Sequence, residues 1–258
     1  MFYLISLCYN RLVTGIKNIE RDKYVESYAY LSNEENSMRN EKSYGLLAGV
    51  FLILSIIFTI IVCNVDVAAI GPEESSVGLS TINKYFHDLT GLNMIFYSLS
   101  KYLGYLVFLP VLYFGLFGFL QLVTGKKLSA VDINIWCLLG LYIVFALIYV
   151  FFEKVIINYR PEILPDETAL EASFPSTHTM LAIVILGSAI IEWGIIFKRR
   201  IKTKKYLQIL ASLLMVLIVV FRLLSGAHWL SDIFAGILYS VTILMAFKAL
   251  LSRYIFEQ

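Results

Sequence analysis

Residues 46–63 read LLAGVFLILSIIFTIIVC, a stretch of the sequence without a charged side chain. A helix needs roughly 20 apolar residues to cross the hydrocarbon core of a lipid bilayer. This stretch therefore predicts a transmembrane helix, and the sequence around it shows how many more such helices to expect.

Five further apolar runs follow this stretch. They are residues 95–123, 131–152, 179–197, 206–224 and 231–251. The 258-residue chain is 59% hydrophobic and only 16% charged, whereas soluble domains carry about 25% charged residues. Gly104 and Pro110 in the long second run favour a tilt, a kink or an interfacial start there. We predict an all-α, polytopic membrane protein with six transmembrane helices in a bundle.

The distribution of Lys and Arg predicts the orientation of the helices, because short cytoplasmic loops of membrane proteins are rich in these residues. Residues 198–205 contain six of them, and residues 126–127 are both Lys. The alternate segment 64–94 contains a single Lys. We therefore expect both termini in the cytoplasm, and residues 153–178 and 225–232 at the outer face of the cell membrane.

The ends of the chain differ from the apolar region between them. We divide the sequence into a cytoplasmic leader of residues 1–45, interfacial or disordered, a six-helix domain of residues 46–251, and a short cytoplasmic tail of residues 252–258. Met38, which directly precedes Arg39, is an alternative start of translation. The three cysteines show no spacing typical of a metal site or a disulfide framework.

The junction of the last two runs, residues 222–232, reads RLLSGAHWLSD. His228 and Asp232 are four residues apart, so on a helix they share a face and Asp232 can accept a hydrogen bond from the imidazole. The other ring nitrogen is then free to attack phosphorus, and the guanidinium of Arg222 can hold phosphate oxygens. The alternative is structural: His228 and Asp232 cap the helix, and Arg222 extends to the membrane interface.

Residues 174–178 read FPSTH and directly precede the fourth apolar run. Ser176 or Thr177 is a natural helix N-cap, and the N–H groups that follow favour an anion. His178 can point into that anion site and protonate a departing oxygen. The alternative is plain helix capping with an exposed histidine at the interface.

Residues 158–161 read NYRP and form the third polar element at the outer face. Pro161 disfavours helix at Arg160, which leaves the Arg160 side chain free to turn towards a phosphate. Lys154 lies shortly before it. The alternative is a membrane-interface flank with no chemical role. Because phosphoryl transfer depends mostly on positioning and charge stabilisation, cations, a nucleophile and a proton donor are enough.

Taken together, the three elements resemble the motifs of the type 2 phosphatidic acid phosphatase superfamily. That pattern is Lys, six residues and Arg-Pro; then Pro-Ser-Gly-His; then Ser-Arg, five residues, His, three residues and Asp. The matching residues are Arg160, Pro161, Pro175, Ser176, His178, Arg222, His228 and Asp232. Three positions depart from the pattern: Glu153 stands in place of the Lys, Thr177 in place of the Gly, and Phe221 in place of the Ser. A lysine, Lys154, follows one residue after the first of these positions.

The resemblance implies a metal-independent membrane phosphatase that needs no cofactor and acts on a lipid phosphate or a polyprenyl pyrophosphate at the extracytoplasmic face. His228 would form a phosphohistidine, oriented by Asp232, and His178 would protonate the leaving group. The phosphate-binding residues implied are Arg160, Arg222, Ser176, Thr177 and Lys154. The partners expected are the lipid substrate and membrane lipids, and no nucleic acid.

Two alternatives stay open at this point. The same fold can act as a lipid phosphotransferase, or it can be a non-catalytic binding or transport protein. A transporter would place ionisable groups mid-bilayer, whereas here they gather at the outer ends. His87 lies in segment 64–94, on a predicted amphipathic surface helix, and we expect it to be an exposed bystander.

Overall fold

The computed structural model describes residues 38–164 and 167–254. These residues form eight α-helices, with one short β-hairpin and two short 3-10 helices between them. The α-helices are α1 (Met38–Asn64), α2 (Ser80–Thr90), α3 (Met94–Leu106), α4 (Phe108–Gly125), α5 (Ile133–Lys154), α6 (Thr177–Ile196), α7 (Ile201–Leu224) and α8 (Leu230–Tyr254). The hairpin pairs β1 (Ala68–Ala69) with β2 (Ser76–Val77), and the 3-10 helices are Pro72–Glu74 and Leu128–Ala130.

The described helices confirm the all-α, six-span prediction, with α3 and α4 together forming the second span. The two are separated at Val107, between the predicted kink residues Gly104 and Pro110. Pro110 has no N–H to donate to the carbonyl of Leu106, so the helix is interrupted there.

The ends of the predicted domains lie partly outside the described residues, which leave out 1–37 of the leader and 255–258 of the tail. The described part of the leader, residues 38–45, is helical and continues into α1.

Helix α6 occupies the centre of the bundle. It is 56% buried within its most apolar window, against 11–33% for the other five spans, and its Val184 and Ala189 are fully buried. It packs against α7 and α8, and to a smaller extent against α4 and α5. The exposed apolar side chains of the outer helices are those expected to face lipid.

Close contact between α6 and α8 depends on glycine. A Cβ added at Gly236 of α8 would lie 3.0 Å from the carbonyl oxygen of Ser176 and 3.2 Å from Cβ of Thr179. A Cβ at Gly187 of α6 would lie 2.6 Å from a methyl of Leu244. The small residues let the two backbones approach, as is common in membrane bundles, and Gly236 brings the start of α8 against the start of α6.

Helix α2 lies at the same end of the bundle. Its first turn donates to Asp66, through the Ser80 hydroxyl at 2.9 Å and the Thr81 N–H at 2.8 Å. The Thr81 N–H, followed by the Ser80 hydroxyl, lowers the pKa of the Asp66 carboxyl. An ionised Asp66 therefore holds the start of α2.

Candidate active site

Two loop segments between α5 and α6 pair in antiparallel fashion and build one wall of the site. The N–H of Arg160 donates to the carbonyl of Glu171 at 3.0 Å, and the N–H of Ser173 donates to the carbonyl of Asn158 at 2.9 Å. Tyr159 and Ala172 form the bridge between them. This pairing brings the element around Arg160 next to the residues that lead into α6.

His228 lies in the short connection before α8 and is only 4% exposed. Its Nδ1 donates to the backbone carbonyl of Ser173 at 3.2 Å, whereas Oδ2 of Asp232 is 3.7 Å away. The hydrogen bond predicted between His228 and Asp232 is therefore not formed. A carbonyl can only accept, so it places the proton on Nδ1 and the lone pair on Nε2. That Nε2 is buried and has no hydrogen-bond partner among the described residues.

Asp232 is directed elsewhere because α8 begins only at Leu230, after His228. As the third residue of the helix, Asp232 turns back to accept the N–H of Trp229 at 3.0 Å, half of a capping box. Its other oxygen accepts the side-chain amide of Asn158 at 3.1 Å. Asp232 is fully buried, so it closes the start of α8 and places a carboxyl group near His228.

Arg222 lies near the end of α7 and is also fully buried. Its Nη2 donates to Nδ1 of His178 at 2.8 Å. A guanidinium cannot accept a hydrogen bond, so neutral His178 carries its proton on Nε2. Nη1 of Arg222 lies 3.4 Å from the hydroxyl of Ser100, and its guanidinium carbon lies 5.0 Å from the ring centre of Tyr97.

Both arginines keep hydrogen-bonding capacity for a ligand. Arg160 pairs with Glu171 through Nη2 at 2.8 Å, but its Nε and Nη1 are buried without a partner among the described residues. The same holds for Nε of Arg222. Leaving buried donors unpaired costs about 1–3 kcal/mol each, so the site is suited to an anion that satisfies them.

The start of α6 contributes backbone donors. Ser176 occupies the predicted N-cap position, but its side chain makes no cap bond. Its buried hydroxyl instead accepts the hydroxyl of Thr179 at 3.0 Å. The N–H groups of Thr177 and His178 have no acceptor within the helix, so the first turn offers them to an anion.

His228, His178 and the two arginines are close enough for their charges to affect the protonation of His228. Burial, followed by the charges of Arg222 and Arg160 and the nearby His178, lowers the pKa of His228 well below its usual range, although the Ser173 carbonyl opposes this. His228 is therefore neutral at neutral pH, which is the form that can act as a nucleophile. Within the described residues, no three His, Cys, Asp or Glu side chains form a group that could hold a metal ion.

The structure does not bring Lys154 into this cluster. Lys154 is the last residue of α5, is exposed, and makes no hydrogen bond or ion pair with the cluster among the described residues. A shift of one residue turns a helical side chain by about 100°. That rotation accounts for the difference from the motif position, which Glu153 occupies.

Sequence reasoning also missed residues that hold the site together. Asn83 of α2 is fully buried; it donates to the hydroxyl of Ser231 at 2.9 Å and accepts its N–H at 3.0 Å. His87, predicted as an exposed bystander, is only 18% exposed; its ring packs edge-on against Trp229, and Nε2 lies 3.3 Å from Glu162. That prediction was wrong. The four-residue spacing of Asn83 and His87 could have indicated these contacts, because it puts both side chains on one face of α2.

Comparison with known proteins places these features in context. Residues 134–255 match the model of the PAP2 superfamily. The structure is similar to a transmembrane PAP2-type phosphatidylglycerolphosphate phosphatase from Bacillus subtilis, with a TM-score of 0.54 and 17% sequence identity over 81% of this chain and 96% of that one. At this identity the likeness shows the fold. No curated protein sequence matches the chain.

Proposed function

We propose that this chain, whose residues 134–255 match the model of the PAP2 superfamily, is an integral membrane phosphatase that hydrolyses a lipid phosphate or a polyprenyl pyrophosphate. The observation that carries this proposal is the buried, unpartnered Nε2 of His228. Its lone pair is free because the proton of the ring is on Nδ1, and the positive charges of Arg160 and Arg222 favour the neutral form of the ring. This arrangement is what a nucleophile aimed at an anionic phosphorus centre requires.

Substrate binding begins with the two arginines. The phosphate takes up the free N–H groups of Arg160 and draws Arg222 away from Nδ1 of His178, where its Nη2 donates in the free protein. Nδ1 of His178 can then accept a proton, and the bound negative charge favours the resulting imidazolium. The N–H groups at the start of α6 complete the phosphate site.

Two displacements complete the reaction. Nε2 of His228 attacks phosphorus as the bond to the leaving oxygen breaks, and the His178 imidazolium gives that oxygen a proton. The phosphorylated imidazole gains positive character, which the Ser173 carbonyl and the Asp232 carboxylate stabilise from the Nδ1 side. Neutral His178 then takes a proton from water, which attacks phosphorus and releases neutral His228 and phosphate.

An apolar cavity supports a lipid substrate. It has a volume of about 370 Å³ and lies between α3, α4, α6 and α7. Leu106 of α3 lines it, two residues beyond Gly104, where an added Cβ would lie 4.0 Å from His178. A hydrocarbon chain that enters this cavity past Leu106 would have its phosphate end on the side of His178.

The proposed orientation rests on the loop charges. The basic residues between α6 and α7 favour a cytoplasmic position for that loop. The connections around His178 and His228 then lie at the extracytoplasmic face, and both termini lie in the cytoplasm. Residues 46–251 form the proposed phosphatase domain, with a cytoplasmic leader before it and a short tail after it.

Phosphate release by the purified full chain tests the proposal. The protein in detergent is given phosphatidic acid, phosphatidylglycerol phosphate and undecaprenyl pyrophosphate, each with a metal chelator. We expect release from at least one lipid and inhibition by vanadate, which resembles the five-coordinate transition state. His228→Ala abolishes release, while Lys84→Met, a change to an exposed lysine of α2 that pairs with Asp88, retains it. Undiminished release by His228→Ala, or a strict requirement for a divalent ion, contradicts the mechanism.

A further inference from the structure

One face of α3 is directed at the candidate site. Tyr97, Ser100, Lys101 and Gly104 follow the spacing i, i+3, i+4, i+7, so they lie on the same side of the helix. Three of them meet site residues: Tyr97 and Ser100 contact Arg222, and Gly104 faces the ring of His178. Lys101 shares this face and lies between these contacts along the helix.

Helix α3 is anchored to α7 beside Arg222. The ring of Phe96 stacks on Phe221 with 5.5 Å between centroids. Phe221 occupies the position where the family motif has a serine hydroxyl. The substitution removes one phosphate donor and at the same time provides the surface against which α3 packs.

Lys101 itself is exposed and makes no hydrogen bond or ion pair among the described residues. Because Lys101 shares a face of α3 with Gly104, which lies next to His178, its ammonium group is on the side of the helix that faces the site. A lysine has a flexible stem and three donors, so its ammonium group can follow a phosphate that lies at the membrane surface.

We propose that Lys101 of α3 supplies the third cation that binds the substrate phosphate, in the place where Lys154 was expected from the motif. The proposal rests on the proposed function, because it concerns the same phosphate site. Charge in a phosphoryl transition state spreads over three equatorial oxygens. Arg160 already pairs with Glu171, and Arg222 already donates a hydrogen bond to His178. Lys101 makes no such bond among the described residues, and it lies on the face of α3 that is directed at the site.

Three methionine substitutions compare lysines that differ in position. Lys101→Met removes the proposed contact, Lys154→Met removes the motif candidate, and Lys84→Met removes an exposed lysine of α2 that pairs with Asp88. Each purified variant is assayed for kcat and KM with the best lipid substrate. Binding of orthovanadate and orthophosphate is measured separately as a rise in unfolding temperature, a readout that does not depend on turnover.

We expect Lys101→Met to raise KM and to weaken orthovanadate binding by about 10- to 100-fold, as the loss of a charge-assisted contact does. The other two variants should change by less than about threefold. An unchanged Lys101→Met protein, or a larger loss in Lys154→Met, overturns the proposal while hydrolysis by the wild type still supports the proposed function.

The two proposals can also fail in the opposite order. A wild type that binds orthovanadate through Lys101 without releasing phosphate keeps the cation site but refutes the phosphatase. A wild type that neither binds these anions nor hydrolyses lipid refutes both.

Discussion

Asp232→Asn tests how the charge of Asp232 contributes to the reaction, because it preserves shape and removes the negative charge. In the structure Nδ1 of His228 donates to the Ser173 carbonyl, so the reactive tautomer should survive the substitution. The substitution removes the electrostatic attraction between the Asp232 carboxylate and the positively charged phosphohistidine. At the observed 3.7 Å, an effective dielectric constant of about 20 gives an attraction of about 4 kcal/mol. This corresponds to a loss of about 10³-fold in kcat.

Stability changes for a separate reason. Both oxygens of Asp232 accept hydrogen bonds, from Trp229 and from Asn158. An asparagine must turn its NH₂ group towards one of these donors, which leaves buried donors unpaired at a cost of about 1–3 kcal/mol. Asn158→Ala removes one donor and keeps the charge, so it serves as the control, with lower stability but kcat within about tenfold of the wild type.

The assay is phosphate release at saturating lipid in mixed micelles, with thermal unfolding measured on the same samples. An Asp232→Asn enzyme within tenfold of the wild type would refute the electrostatic argument. A folded Asp232→Asn enzyme as inactive as His228→Ala would refute the role assigned to the Ser173 carbonyl, because Asp232 would then be indispensable for the tautomer.

Three other outcomes are expected. Because the pKa of His228 is lowered in the folded protein, the unfolded chain binds a proton below about pH 6.5 that the folded protein does not bind. The wild type should therefore lose more thermal stability than His228→Ala when the pH falls from about 7 to about 5. An equal loss of stability in the two proteins contradicts this. Gly236→Ala should reduce kcat at least about tenfold by pushing α8 away from α6, whereas Gly115→Ala, with nothing within 4 Å of the added Cβ, should not. In a cysteine-free background, a cysteine at Glu167 should react with a membrane-impermeant thiol reagent on intact cells and one at Thr203 should not; the reverse pattern inverts the orientation.

The six spans could be predicted closely because lipid imposes a simple requirement on composition and length. The last predicted span, residues 231–251, corresponds to α8 at Leu230–Tyr254, and the fourth, 179–197, to α6 at Thr177–Ile196. The break at Val107 was also indicated, since proline removes a backbone donor wherever it occurs in a helix.

The site was only partly predictable. Motif spacing identified side chains that the structure brings together, including His178, Arg222 and His228. It could not identify the Ser173 carbonyl as the partner of His228, because every residue has a carbonyl and only the pairing of the loops directs this one. Nor could it identify Ser100, which lies 122 residues before Arg222 in the chain.

The error at His87 has a physical cause that applies to surface helices of membrane proteins in general. Periodicity identifies the apolar face of a helix, and in a soluble protein that face packs on the core. In α2 the apolar residues Ile82 and Leu89 are 51% and 65% exposed, as expected if they meet lipid. The polar face, with Asn83 and His87, packs against the start of α8. When lipid can cover the apolar side, the polar side of such a helix is the one to examine for contacts with a polar site.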